Sequence, residues 1–176
     1  MVVSRGSPAA RLMLIGEGPG AQEDEAGRPF VGRSGQLLDQ LLAAAGLDSN
    51  RDLYICNVVK CRPPHNRKPT AVEMAACRPW LEQQIALVDP PLIVLLGATA
   101  LEGVLGIRGG ISQRRGQWHT SEAVFLHGRR LMPIFHPAYL LRFNSEDEGS
   151  PRAVSAGDFQ EVQRSLGELD AGVRCV

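Results

Sequence analysis

A chain of 176 residues with 44% hydrophobic side chains is long enough for one well-buried core and short for two, so one domain over residues 1–170 with a short tail at 171–176 is expected. Nineteen basic residues balance 19 acidic ones, which excludes a protein that coats nucleic acid through bulk charge but leaves room for a local basic face. No run reaches the roughly 18 apolar residues of a membrane span and no signal peptide is visible, so a cytosolic chain without a membrane partner is expected.

In chain order, Arg11 to Ile15 is a short apolar run that ends in the turn Gly16-Glu17-Gly18-Pro19-Gly20, the pattern of a buried parallel strand feeding a ligand loop. Ser34 is read as the cap of a helix in which Leu37, Leu38, Leu41 and Leu42 recur at helical spacing, closed by Gly46. Leu53 to Val58 is a second strand, followed by a basic, proline-rich loop from Lys60 to Pro69. Thr70 with Glu73 forms a capping box for a helix running towards Val88, which Pro79 is expected to bend or break near Cys77. Leu92 to Leu96 is a third strand, Gly97 a turn and Ala98 to Leu105 a short helix. Val124 to Leu126 and Leu131 to Phe135 around His127-Gly128 read as a hairpin whose second arm delivers His136. A last helix fits Phe159 to Leu169, after a polar loop from Ser145 to Pro151.

Strands alternating with helices imply a mostly parallel sheet covered on both faces, a three-layer α/β/α sandwich, with ligands bound at the carboxyl ends of the strands. Gly16, Asn57, Gly97 and His136 all fall at predicted strand exits, so one site can collect them. Gly16-x-Gly18-x-x-Ala21 also matches a loose dinucleotide fingerprint. That reading ranks lower, because Pro19 and the acidic stretch from Glu23 to Gly27 oppose the helix it requires, and the acidic residue at the right distance, Asp39, lies inside the leucine-rich helix. All the basic residues except Lys60 and Lys68 are arginine, which by composition alone reads as ordinary solvated charge. The cysteines, Cys56, Cys61, Cys77 and Cys175, read as thiols or metal ligands before disulfides, and with no Cys-x-x-Cys a zinc finger is not expected.

Five segments in order carry a family likeness: Gly16 to Gly20, Gly27-Arg28-Pro29-Phe30-Val31-Gly32, Asn57 to Pro64, Arg115-Gly116-x-Trp118, and His136-Pro137-Ala138-Tyr139-Leu140-Leu141-Arg142. Together they closely resemble the type 4 uracil-DNA glycosylases, the iron-sulfur class, over roughly residues 8 to 170. The resemblance implies a monomeric base-excision repair enzyme that hydrolyses the N-glycosidic bond of uracil in DNA without a nucleotide cofactor. A nucleotide-binding protein using the Gly-rich turn, and a catalytically silent DNA-binding relative, are the alternatives.

By the same resemblance, Phe30 stacks on the flipped uracil, where simple core packing is the bland reading. Asn57 reads the base edge, its amide donating to O4 and accepting from N3–H; cytosine reverses both groups, and each mismatch costs about 1–3 kcal/mol. Otherwise a strand-end asparagine is most often a turn former. Glu23 closes the pocket around C5, or is a solvated loop acid. His136 is the donor that stabilises the uracil anion, a charge present only in the transition state. Glu17 orients the attacking water or gives electrostatic support to the cationic sugar, and the N–H groups of Gly18 and Gly20 face uracil O2 or phosphate. Pro137, Leu140 or Leu141, and Arg142 belong to a loop wedged into the minor groove, although a helix start burying its leucines fits the same residues. Lys60, Arg62, Arg114 and Arg115 are expected on the DNA backbone.

The family's 4Fe-4S cluster needs an upstream Cys-x-x-Cys pair besides two cysteines spaced as Cys61 and Cys77 are. That pair is absent here, and neither Cys56 nor Cys175 is an obvious replacement. The expectation is a start placed too far downstream, an incomplete cluster in the chain as given, and a loop from Cys61 to Cys77 less rigid than in the family.

Overall fold

The computed structural model describes residues 1–143 and 145–173, and Cys175 lies outside them. Five strands form one sheet: β1 (Arg5–Gly6), β2 (Leu12–Gly16), β3 (Leu53–Asn57), β4 (Leu92–Leu96) and β5 (Arg130–Ile134). Their order is β1-β3-β2-β4-β5. β2, β3, β4 and β5 are parallel, and the short β1, not foreseen in the sequence, pairs antiparallel with β3.

Strand alternation divides the apolar residues between two cores. Met13, Ile15, Tyr54, Cys56, Ile93, Leu95 and Leu131 face one side, where helices α3 (Ala71–Val88) and α4 (Ala98–Leu105) cover them with Leu81, Ile85, Leu101 and Val104. Leu12, Leu14, Leu53, Ile55, Leu92, Val94, Met132 and Ile134 face the other, under Leu38 and Leu42 of α2 (Arg33–Ala44) and Phe159 and Val162 of α7 (Pro151–Val173). The result is the three-layer α/β/α sandwich. The chain steps from β2 to β3 on one side and returns to β4 on the other, so the switch in strand order opens between β2 and β4.

Several elements depart from expectation for local physical reasons. A short helix α1 (Ala21–Ala26) does open after the Gly-rich turn, so Pro19 does not prevent one. Asp39, the acidic residue of the dinucleotide reading, is instead ion-paired with the buried Arg5 at 2.6 Å. Helix α2 is capped by Gly32, which leaves Ser34 in the first turn without a capping role. Helix α3 keeps its capping box, Thr70 Oγ1 accepting from Glu73 N at 3.2 Å while Glu73 accepts from Thr70 N at 2.7 Å, and it runs unbroken through Pro79. Burial of Met74 before the proline and Leu81 and Ile85 after it outweighs the roughly 3 kcal/mol that an interior proline costs.

The expected hairpin is absent. Beyond the one-turn helix α5 (Ile111–Arg114), Val124–Leu126 is a single 3₁₀ turn that buries only Leu126, and β5 lies parallel to β4 with an isolated antiparallel bridge from Leu131 to His119. Helix α7 begins earlier than its apolar residues suggest, because Ser150 Oγ accepts the N–H of Ala153 at 3.2 Å and Pro151 suits a first turn. It also continues to Val173, past the expected tail boundary.

Candidate active site

The sheet delivers polar groups to its carboxyl edge. Gly16 ends β2, Asn57 ends β3, Gly97 follows β4, and His136 follows β5 as the N-cap of the short helix α6 (Pro137–Leu140). Beside them lies a cavity of about 160 Å³ lined by Gly18, Gly20, Glu23, Phe30, Ser34, Asn57, Asn66 and His136. A larger hollow of about 320 Å³, bordered by Arg11, Leu47 and Arg51, lies at the opposite ends of the strands, where the fold gathers none of these groups.

Phe30 is fixed on several sides. Its φ of +55° is a left-handed conformation that a bulky side chain rarely adopts. A Cβ on Gly35 would come within 1.9 Å of Phe30 O, and one on Gly16 within 2.5 Å of Phe30 Cζ, so both positions need glycine for this loop to seat. Glu23, on α1 and not in a loop, accepts the N–H groups of Val31 at 3.0 Å and Gly32 at 2.8 Å through Oε1, clamping the turn after Phe30. The aromatic ring stands 5.7 Å from that of His136, tilted by 31°.

Asn57 is buried, and its Oδ1 has no hydrogen-bond partner in the protein. Such a group costs about 1–3 kcal/mol unless a ligand satisfies it. The same oxygen would lie 2.5 Å from a Cβ at Gly16, so the residue at the β2 exit must be bare for the amide to reach this position.

His136 Nδ1 accepts the N–H of Ala138 at 3.1 Å, which places the ring proton on Nε2. Burial pushes its pKa down to about 4, against the carboxylate of Glu23, which raises it. At neutral pH it is therefore a neutral donor. Gly97, at φ +90°, abuts it: an added Cβ would lie 2.8 Å from His136 Cβ. Glu17 is half-buried, and its Oε2 accepts the hydroxyl of Thr99 in the first turn of α4.

A buried pocket pairing an amide edge, an aromatic face and a neutral imidazole is matched by sequence comparison: residues 3–159 fit the Uracil DNA glycosylase superfamily. The chain belongs to the uracil-DNA glycosylase superfamily. A type-4 uracil-DNA glycosylase of Thermotoga maritima is 48% identical over 148 residues, covering 84% of this chain and 74% of that protein. A type-4 enzyme of Sulfurisphaera tokodaii is 39% identical over 170 residues, 92% of this chain and 73% of its own. A type-5 enzyme of Thermus thermophilus is 35% identical over 176 residues, 92% of this chain and 78% of its own.

Within this uracil-DNA glycosylase superfamily member the outer residues divide. Arg62 is exposed and its Nε donates to Asn66 Oδ1 at 2.6 Å, at the cavity mouth; Arg142 is also exposed. Leu141 is half-buried directly after α6, which carries Tyr139, whose ring meets those of Phe135 and Phe143 at tilted angles with centroids 5.0 and 4.9 Å away. Four expected DNA contacts are corrected. Lys60 is buried with Nζ donating to Asn57 O at 2.5 Å, and desolvation lowers its pKa. Arg115 is committed to the carboxylate of Asp158 and to Val154 O. Leu140 is 1% exposed in the interior and cannot wedge into a groove, while Pro137 is a buried first residue of α6.

Sequence reasoning missed Ser34, Asn66 and Thr99. Only Asn66 left a signal, as an asparagine in the turn-forming run Pro63-Pro64-His65-Asn66; its φ is +55°. The described cysteines, Cys56, Cys61 and Cys77, are free. Among the described residues no three His, Cys, Asp or Glu side chains gather to hold a metal. Cys56 is fully buried in β3, which leaves Cys61, exposed, and Cys77, whose Sγ accepts the N–H of Lys60 at 3.5 Å. Two thiols do not meet the four-ligand requirement of a 4Fe-4S cluster. The loop between them is instead held by Arg67 to Glu73 at 2.7 Å and Lys68 to Glu102 at 2.6 Å. No helix among the described residues is long and apolar enough to cross a membrane.

Proposed function

We propose that this chain removes uracil from DNA by hydrolysing the bond between N1 of the base and C1′ of the sugar. The observation that carries this reading is the buried, unpartnered Oδ1 of Asn57 in a small cavity that also holds Phe30 and His136. Uracil extruded from the stack offers that oxygen its N3–H, offers the Asn57 amide its O4, and lays its ring against Phe30. Cytosine presents an acceptor at N3 and a donor at N4, so both contacts fail in a buried site.

As the C1′–N1 bond breaks, its electron pair moves onto the base and accumulates at O2, where the Nε2–H of His136 donates. The sugar becomes cationic. Glu17, next to the cavity-lining Gly18 at the β2 exit, is the carboxylate assigned to orient water for attack on C1′ and take up its proton, or to lower the energy of the cation by charge alone. Glu23 serves by fixing the turn that carries Phe30 as well as by lining the wall near C5. Gly18 leaves room for a close backbone approach at the same rim.

On the outside, Leu141 fills the space that the base vacates, with Arg62 and Arg142 on phosphates. The working unit in this reading is a single chain acting on cytosolic DNA. Cys61 and Cys77 match the spacing of two of the family's cluster ligands, and no step of the hydrolysis passes through a cluster.

The test is release of uracil from an oligonucleotide carrying one labelled uracil, without added cofactor. Release from uracil but not from cytosine is expected. Tight DNA binding with no release would make the chain a silent relative, and release that depends on an added nucleotide would favour the dinucleotide reading.

A further inference from the structure

We propose that Thr99 is a positioning residue for hydrolysis: its hydroxyl holds the Glu17 carboxylate in reach of the sugar. The inference rests on the role given to Glu17 above. Thr99 is 5% exposed in the first turn of α4, and its Oγ1 donates to Glu17 Oε2 across 82 residues of sequence. A threonine in a helix ordinarily satisfies its hydroxyl on a carbonyl one turn back or in solvent. Here it reaches a different strand exit.

The contact spans the switch point of the sheet, from the β2 exit to the β4 exit. The β2 side is fixed by Val58 N donating to Gly16 O at 2.9 Å and Val59 N to Glu17 O at 3.2 Å. The β4 side is fixed by Gly97, which packs against His136 and whose carbonyl accepts Leu101 N at 3.1 Å. The start of α4 therefore sets Glu17 and His136 relative to one another. Among the described residues the Glu17 carboxylate makes no ion pair, so this hydroxyl orients it without cancelling its charge. An arginine in that place would orient it too, but would neutralise the charge that a cationic sugar needs.

Single-turnover uracil release and DNA affinity of Thr99→Val, Thr99→Ser, Glu17→Gln and the Thr99→Val/Glu17→Gln pair test this. Thr99→Val should slow release about 10- to 100-fold with affinity for DNA kept within about threefold, and Thr99→Ser should stay within about threefold of the parent rate. In the Glu17→Gln background Thr99→Val should add nothing, since the group it positions is gone. Equal slowing in both backgrounds would reduce Thr99 to a packing residue, and an unslowed Thr99→Val beside a slow Glu17→Gln would overturn the inference while leaving the proposed function intact. An unslowed Glu17→Gln would remove both the role of Glu17 and that of Thr99. Should Thr99→Val fail to fold, the ratio of Thr99→Ala to Thr99→Ser carries the same comparison: a large ratio supports the role, and equal rates overturn it.

Discussion

The backbone N–H of Ala138 donates to Nδ1 of His136 at 3.1 Å, so the residue that caps α6 also has its tautomer fixed by the helix it starts. With burial pushing its pKa from 6.5 down to about 4, the ring stays neutral across the physiological range. The unfolded chain takes up a proton near the ordinary value that the folded site refuses. Stability from this residue is therefore complete above pH 6.5 and is lost as pH falls towards about 4. A proton NMR titration should put the His136 midpoint near 4. A midpoint at the ordinary histidine value would mean that an imidazolium, not a neutral donor, faces the leaving base.

Asn57→Asp replaces an amide that donates and accepts with a group that, ionised, only accepts. Uracil O4 loses its donor, whereas cytosine N4 gains an acceptor. Release of uracil should fall by about 10- to 100-fold, corresponding to one unmet buried contact, and release of cytosine should become measurable. Parallel assays on matched uracil and cytosine oligonucleotides decide it: unchanged selectivity would take Asn57 out of base reading.

A methyl group at Gly16 would press on Asn57 Oδ1 and Phe30 Cζ, both at 2.5 Å. Gly16→Ala should cost about 1–3 kcal/mol of stability and a larger share of activity, because the two side chains displaced are those that meet the base. Gly27→Ala is the control: φ there is +68° but nothing lies within 4 Å of the added Cβ, so only backbone strain is incurred. Urea unfolding and uracil-release rates of both variants separate the two effects. Equal activity in the pair would show that the β2 exit does not shape the pocket.

Arg115 and Arg142 should fail differently. Arg115→Ala strands Asp158, 5% exposed, which burial already pushes towards protonation and which the guanidinium holds ionised. A loss on the order of 3 kcal/mol is expected, with no change in the salt dependence of DNA binding. Arg142→Ala should leave stability alone and lower the slope of log affinity against log salt by about one. Denaturation curves and binding measured at several salt concentrations distinguish them, and a salt slope that moves with Arg115 would return that residue to the DNA interface.

Much of the scaffold was legible because its signals are local. The apolar runs at β2, β3 and β4 and the Thr70–Glu73 box each declare themselves within a few residues. The errors arose where a local signal met a distant contact. Pro79 is carried by burial on both sides of it, and Val124 to Leu126 has strand-forming residues but no strand to pair with. At the site, the motifs named Asn57, Phe30 and His136, which the fold gathers around one cavity, yet the same kind of reading put Lys60, Arg115, Pro137 and Leu140 on DNA. A positive charge or a leucine in a motif does not reveal whether it faces outwards.

From its residues alone the chain determined that β2, β3, β4 and β5 would form in a mostly parallel sheet and which chemical groups would stand at their exits, since apolar period and turn chemistry act over a few neighbours. Tertiary structure decided the rest. It left Asn57 Oδ1 without a partner, turned Lys60 inwards, paired Arg115 with Asp158, and brought Thr99 to Glu17. Those outcomes depend on distances between residues far apart in sequence, which only the packing of two helical layers on one twisted sheet fixes.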